Sequence, residues 1–212
     1  MPRSGLLNPR AQMVKRVFDV LFACGLLILA LPFALVIALA IATETPGPVF
    51  FGHTRIGKGN RSFRLWKFRS MVRDADAVLS RHLDRNPELR AEWLATHKLK
   101  SDPRVTGVGR WLRRSSLDEL PQLWNVLKGD MSMVGPRPIV AEEVAKYGPA
   151  FSLYSQVPPG LTGLWQVSGR NDTSYRERTE LDWRYIREWS MATDLLVLWK
   201  TVRVVLCGHG AY

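Results

Sequence analysis

One run dominates the hydrophobic pattern of the chain. The 23 residues from Val20 to Ala42 carry no charge. This exceeds the roughly 18 residues at which a membrane helix is suspected. It is also longer than the apolar region of a cleaved signal peptide, about 7–15 residues. The residues after it, Thr43-Glu44-Thr45-Pro46-Gly47-Pro48, read as a turn. A straight helix of this length would measure about 34 Å, enough to cross a bilayer. Pro32, however, sits near the middle. A proline removes one backbone hydrogen bond and clashes with the preceding turn. The expectation is therefore a helix-break-helix, each half about 15–18 Å long and too short to cross alone.

Flanking charge points the same way. Arg3, Arg10, Lys15 and Arg16 precede the run; Arg55, Lys58, Arg61, Arg64, Lys67 and Arg69 follow it. Positive residues favour the cytoplasmic side. Two positive flanks predict a re-entrant hairpin that enters and leaves by one face, with its bend shielded by protein or near the interface. A kinked single span would carry the rest of the chain across.

Beyond the run, the pattern becomes that of a mixed domain. Pro48 to Arg55 and Ser62 to Arg69 are rich in aromatic and β-favouring residues. They flank Gly57-Lys58-Gly59-Asn60, which predicts a β-hairpin. Asp74 to about Lys100 reads as helix interrupted at Asn86-Pro87, where Asn86 caps and Pro87 opens the next helix. Helical character returns between Trp111 and Leu127, then from Thr179 to Trp189 and from Asp194 to Leu206. The last of these is apolar, with Trp199, Lys200 and Arg203 interspersed. Such a helix suits a membrane interface, or a core with snorkelling cations. Pro136, Pro138, Pro158 and Pro159 punctuate loops. The predicted fold class is α+β and mostly helical. It divides into an N-terminal segment, 1–45, holding the re-entrant element, and a catalytic part, 46–212. In the latter, a small β-hairpin and interfacial amphipathic helices surround a compact body.

Composition narrows the function. Lys and Arg number 30 against 19 acids, a net charge of +11. That excess favours polyanions: nucleic acid, an anionic bilayer face or phosphorylated small molecules. Cys24 and Cys207 form no CxxC pair, so neither a disulfide framework nor a zinc site is indicated. His53, His82, His97 and His209 lack metal-ligand spacing.

Residues 110–138, RWLRRSSLDELPQLWNVLKGDMSMVGPRP, place the adjacent acids Asp118 and Glu119 among Arg110, Arg113, Arg114, Lys128 and Arg137. Ser116 with Glu119 is a capping-box pattern, and acids at a helix start are favoured by the dipole. The same residues suit phosphoryl transfer, which needs a nucleophile, cations for phosphate oxygens and usually Mg²⁺. A carboxylate can attack phosphorus and form an acyl phosphate, and Asp118 is placed to do so. On a helix, Glu119 points about 100° away from it. One acid therefore attacks while the other helps hold Mg²⁺, a hard cation suited to carboxylate and phosphate oxygens. Pro121 biases Leu120 away from helical geometry, so a helix starts late or kinks here and leaves backbone N–H groups free. Gly135-Pro136-Arg137-Pro138 holds one arginine in a stiff loop, where its guanidinium can grip two phosphate oxygens. The Gly160–Asn171 stretch, with Arg170, offers contacts to a nucleotide or sugar but matches no GxGxxG or Walker pattern.

Four blocks in order then carry a resemblance: KRVFDVLFACGLLILALP at 15–32, GPVFFGHTRIGKGNRSFRLWKFRSM at 47–71, DPRVTGVGRWLRRSSLDELPQLWNVLKGDMSMVGPRP at 102–138 and PPGLTGLWQVSGRN at 158–171. Together they resemble the bacterial sugar transferases, the monotopic polyprenyl-phosphate phosphoglycosyl transferases, from about Lys15 to Gly208. The resemblance implies transfer of a sugar 1-phosphate from a UDP-sugar, here taken as a UDP-hexose, to undecaprenyl phosphate with Mg²⁺, releasing UMP. It implies Asp118 as nucleophile, Glu119 as its dyad partner and Arg137 as a phosphate contact. Asp182 falls at another functionally implicated acid; Arg114 and Arg170 join the expected phosphate-binding set. It also implies a re-entrant apolar segment, a catalytic part on the cytoplasmic face of the bacterial inner membrane, membrane lipid as a partner, and the short catalytic form. A homodimer is left open. Relatives often have Ser before the mid-segment Pro; here Leu31 stands in its place.

Two other classes compete. A membrane-anchored nucleic-acid module would use the positive charge and bind DNA in a salt-sensitive way. It leaves the acidic pair within the basic cluster unexplained, so no nucleic-acid partner is expected. A catalytically silent scaffold for polysaccharide assembly is the third, against which Asp118, Glu119 and Arg137 all stand intact.

Overall fold

The computed structural model describes residues 5–96, 99, 101–168 and 174–207. Its first long element, α1, runs over Pro9–Glu44. Asn8 caps it by accepting from the Arg10 N–H at 3.0 Å, and Pro9 occupies the first turn. The expected break at Pro32 is absent: the segment is one helix. Proline costs a single N–H bond, and apolar helix formers on both sides keep the remaining ladder intact.

One stripe of α1 faces the body. Lys15, Asp19, Ala23, Ile37 and Ile41 are buried at helical spacing, with Leu27 and Ala34 packed between them. The other faces are bare: Ile28, Leu29, Phe33 and Val36 are each about two-thirds exposed or more. Both ends are fastened to the same body. Near the start, the Lys15 ammonium meets the Asp194 carboxylate at 2.5 Å, and Asp19 accepts from the Ser132 hydroxyl at 2.7 Å and the Met133 N–H at 3.1 Å. Near the end, Arg69 donates to the carbonyls of Thr45 (2.6 Å) and Pro46 (3.0 Å).

The expected hairpin is present. β1 (Phe50–Ile56) pairs antiparallel with β2 (Ser62–Phe68), from Phe50 opposite Phe68 to Ile56 opposite Ser62. The turn bends through left-handed Gly59 and Asn60. Buried Leu65 and Phe68 fix β2 against the cores. Helices α2 (Ala75–Arg85) and α3 (Pro87–Thr96) divide at Asn86, as the Asn-Pro pair predicts.

α4 (Gly107–Ser115) is capped by the Thr106 hydroxyl, which accepts from the Gly109 N–H at 2.9 Å. It ends at Ser116, a non-glycine residue at φ 57. The capping box expected of Ser116 and Glu119 does not form; in the left-handed conformation the Ser116 side chain caps nothing. A capping box does form between Ser174 and Glu177, and it starts α8 (Tyr175–Glu188) four residues before the expected Thr179. After a single turn at Leu117–Glu119 comes α5 (Gln122–Lys128), delayed by Pro121 as anticipated. Arg16 of α1 donates to its terminal carbonyls, Val126 and Leu127, at 2.5 and 2.7 Å.

Two three-residue strands were not foreseen. β3 (Ser132–Val134) and β4 (Gly160–Thr162) pair in parallel, Ser132 opposite Gly160. Three residues are too few to display a period. Short helices α6 (Val144–Tyr147) and α7 (Phe151–Tyr154) connect them, and α9 (Met191–Cys207) follows α8.

Candidate active site

The single turn after α4 carries Asp118 and Glu119, with Asp118 only 8% exposed. Facing them is Lys67, near the end of β2. Its ammonium lies 2.6 Å from the Glu119 carboxylate and 3.7 Å from that of Asp118. Arg113, in the last turn of α4, donates to the Ser70 hydroxyl at 2.9 Å. Burial raises the pKa of Asp118 above its ordinary value, and Glu119 adds to the rise. Lys67 and Arg113 counter it. Asp118 is thus a desolvated carboxyl group whose charged form is favoured by two nearby cations and disfavoured by burial; in its ionised form it can act as a nucleophile.

These side chains line a cavity of about 930 Å³. One wall is cationic and polar, built by Lys67, Arg69, Ser70, Arg73, Arg104 and Arg113. Arg137 reaches in from the loop after β3. It is the exposed residue of a stretch whose neighbours Pro136 and Pro138 are buried. Its guanidinium stands 5.5 Å from the centre of the Trp165 ring, and Arg178 stands 4.7 Å from the same ring. Such stacking holds a guanidinium plane while leaving its N–H groups free to point elsewhere.

The expected site residues separate. Asp118, Glu119 and Arg137 share the cavity. Arg114 is exposed and outside the lining; its neighbour Arg113 takes the inward position, because adjacent helical residues point about 100° apart. Arg170 lies outside the described residues. Asp182 is 1% exposed and lies beneath the Arg137 loop rather than in the cavity. It accepts from the Tyr147 hydroxyl at 2.8 Å. Burial pushes its pKa up to about 7, opposed by Tyr147 and by the backbone and charge of Arg137. A carboxylate so enclosed supports the loop rather than touching a substrate.

Lys67, Arg113 and Trp165 escaped the reading of the sequence as site residues. Lys67 had a signal: a lysine between Trp66 and Phe68 in a half-buried strand calls for a charged partner.

For a metal, the donor set offers two adjacent carboxylates, and no group of three or more His, Cys, Asp or Glu gathers among the described residues. Mg²⁺ is commonly held by one or two carboxylates with substrate phosphates completing its shell. Asp118 and Glu119 fit that requirement.

A family model described as bacterial sugar transferase matches residues 10–208. The chain belongs to the bacterial sugar transferase family. It is 47% identical over 209 residues to the exopolysaccharide production protein ExoY of Rhizobium meliloti, covering 99% of this chain and 92% of that one. It is 46% identical over 210 residues to the undecaprenyl-phosphate galactose phosphotransferase of Salmonella typhimurium, covering 99% of this chain and 44% of that protein. The UDP-glucose:undecaprenyl-phosphate glucose-1-phosphate transferase of Escherichia coli is 40% identical over 210 residues, 42% of its own length. The chain thus spans nearly the whole of one relative and less than half of the other two. Within the family match fall Lys67, Arg113, Asp118, Glu119, Arg137 and Trp165, together with the whole cavity.

Proposed function

We propose that this chain transfers a sugar 1-phosphate from a UDP-sugar, a UDP-hexose by preference, to undecaprenyl phosphate, as an opening step of exopolysaccharide or related glycan synthesis. The observation that carries this is the desolvated Asp118 carboxylate, held between Lys67 and Arg113 in a large cationic cavity. The named activities of the relatives supply the substrate classes. Asp118 attacks the β-phosphorus of the donor. The phosphoanhydride bond breaks, UMP departs, and the phosphosugar stays bonded to the Asp118 oxygen. A phosphate oxygen of undecaprenyl phosphate then attacks the same phosphorus and frees Asp118. Lys67, Arg113 and Arg137 neutralise the phosphate oxygens in both steps. Asp118 and Glu119 would hold Mg²⁺, which would supply further neutralisation of phosphate charge.

The membrane is the natural site of this reaction. Leu21, Ile28, Leu29, Phe33, Leu35, Val36 and Leu39 of α1 are all largely exposed; an apolar surface of this kind marks an interaction site, and lipid would cover it. Attachment of both ends of α1 to one body favours a helix that stays on that body's side. That geometry supports a catalytic part held at one face of the membrane, which we read as the cytoplasmic face of the inner membrane.

The test is UMP release by nanodisc-held protein given undecaprenyl phosphate, Mg²⁺ and a panel of UDP-sugars. The expected result is release with one hexose donor, abolished in Asp118→Asn. Release that survives the substitution would remove Asp118 as nucleophile.

A further inference from the structure

Arg137 is held at both ends. At its far end the guanidinium stacks on Trp165. At its near end the backbone is held by a residue outside the cavity lining. Tyr154, the last residue of α7, is 1% exposed. Its hydroxyl accepts from the Ile139 N–H at 3.3 Å and stands 3.0 Å from two carbonyls, those of Arg137 and Ile56. A hydroxyl has one proton to donate, so the two carbonyls share it. Pro136 and Pro138 flank Arg137. Each proline fixes its own φ, and Pro138 also confines Arg137 to extended geometry. The Tyr154 bond adds a tie from the protein interior to this stiff stretch.

The second carbonyl matters as much as the first. Ile56 ends β1, in the hairpin whose other strand carries Lys67. The Ile56 N–H donates to the Ile139 carbonyl at 2.8 Å, and the Gly59 N–H in the hairpin turn donates to the Ser155 carbonyl at 2.7 Å. Tyr154 therefore sits where the hairpin that brings Lys67 meets the loop that brings Arg137. Its ring is packed independently of its hydroxyl, edge-on to Tyr147 at 5.1 Å and stacked on Phe151 at 5.9 Å. We propose that Tyr154 is a positioning residue for Arg137. Its hydroxyl ties the loop to the hairpin, so that the guanidinium and the Lys67 ammonium meet the phosphate oxygens together. This rests on the reaction proposed above and adds a residue that touches no substrate. Cations act on a transition state only from a fixed place, and small displacements cost rate.

Tyr154→Phe removes the hydroxyl and keeps the ring. In nanodisc-held protein it should lower kcat/KM for the UDP-sugar about tenfold, read as UMP release. A double-mutant cycle with Arg137→Ala separates positioning from general weakening of the fold. In the Arg137→Ala background the same change should cost less than about twofold. An equal fold loss in both backgrounds, or no loss in either, rejects the role. Hydrogen exchange at the Ile139 amide gives a second readout that needs no turnover. This amide should exchange slowly in the wild-type chain and at least about tenfold faster in Tyr154→Phe. A rate that the substitution leaves unchanged overturns the hold on the loop. Should the variant fail to fold, the wild-type rate decides, since fast exchange there overturns the hold equally. A wild-type chain that releases no UMP would defeat the proposed reaction instead, and the exchange rates separate the two failures.

Discussion

The carboxylate of Glu44, the last residue of α1, accepts from the Val108 N–H at 3.1 Å, in the first turn of α4. The long apolar helix thereby caps the short helix that leads to the dyad, since α4 ends three residues before Asp118. A side-chain cap of this kind contributes about 1 kcal/mol, and a negative charge suits a helix start. Glu44→Ala should lower stability by about that amount and reduce kcat, because α4 and the turn after it lose their anchor. Glu44→Gln, which can still accept, should recover most of both. Denaturant midpoints and turnover for the two variants decide the matter; if Ala and Gln behave alike, the cap is irrelevant.

The Lys67 charge opposes the rise that burial imposes on the Asp118 pKa. Asp118 attacks only when deprotonated, so activity should rise with pH through its raised pKa. Taking away the Lys67 charge removes a cause that lowers that pKa. Lys67→Met should therefore shift the acid limb of the kcat/KM profile to higher pH, as well as reduce its plateau by about 100-fold. An acid limb that stays put would mean that Lys67 acts on the phosphates alone.

Gly109 and Gly25 are both helical glycines with opposite surroundings. A Cβ on Gly109 would run into the Ser70 backbone carbonyl, while one on Gly25 meets nothing within 4 Å. Gly109→Ala must push α4 away from the end of β2, at a cost of about 1–3 kcal/mol. Gly25→Ala should instead stabilise by about 0.5–1 kcal/mol through helix propensity. Thermal unfolding of the two variants in the same detergent gives the comparison, and shifts of the same sign would contradict it.

Asp182 makes stability depend on pH. Its folded pKa of about 7 stands above the ordinary 3.8. The folded state then binds more protons than the unfolded state between those values. This contribution is fully present below the lower value and is lost as pH rises through the upper one, at up to about 1.4 kcal/mol per pH unit. Asp182→Asn should remove that slope, so the variant gains on wild type between about pH 4 and pH 7. Parallel unfolding free energies over this range would show that Asp182 does not titrate there.

Sequence alone determined much of this protein, through local signals. The charge-free run, the Gly/Asn turn between aromatic strands, the Asn-Pro interruption and the late start of α5 after Pro121 all depend on near neighbours, so each is legible in one dimension. The same holds for the dyad and the PRP loop, whose residues lie within 30 positions of one another and carry the family resemblance. The tertiary structure decided what depends on distant contacts. Proline at 32 bends the odds of a helix ending but does not fix the outcome, and α1 continues through it while its stripe packs along the body. Ser116 and Glu119 have the letters of a capping box, yet the left-handed Ser116 needed to aim the turn forbids it. Arg113 and not Arg114 faces Asp118, because only packing sets the rotation of α4. Lys67 stands 51 positions from Asp118 in the chain, and only the docking of β2 against the α4–α5 turn makes them neighbours. No local pattern encodes such a contact, because its cause is the shape of the core on which both elements rest.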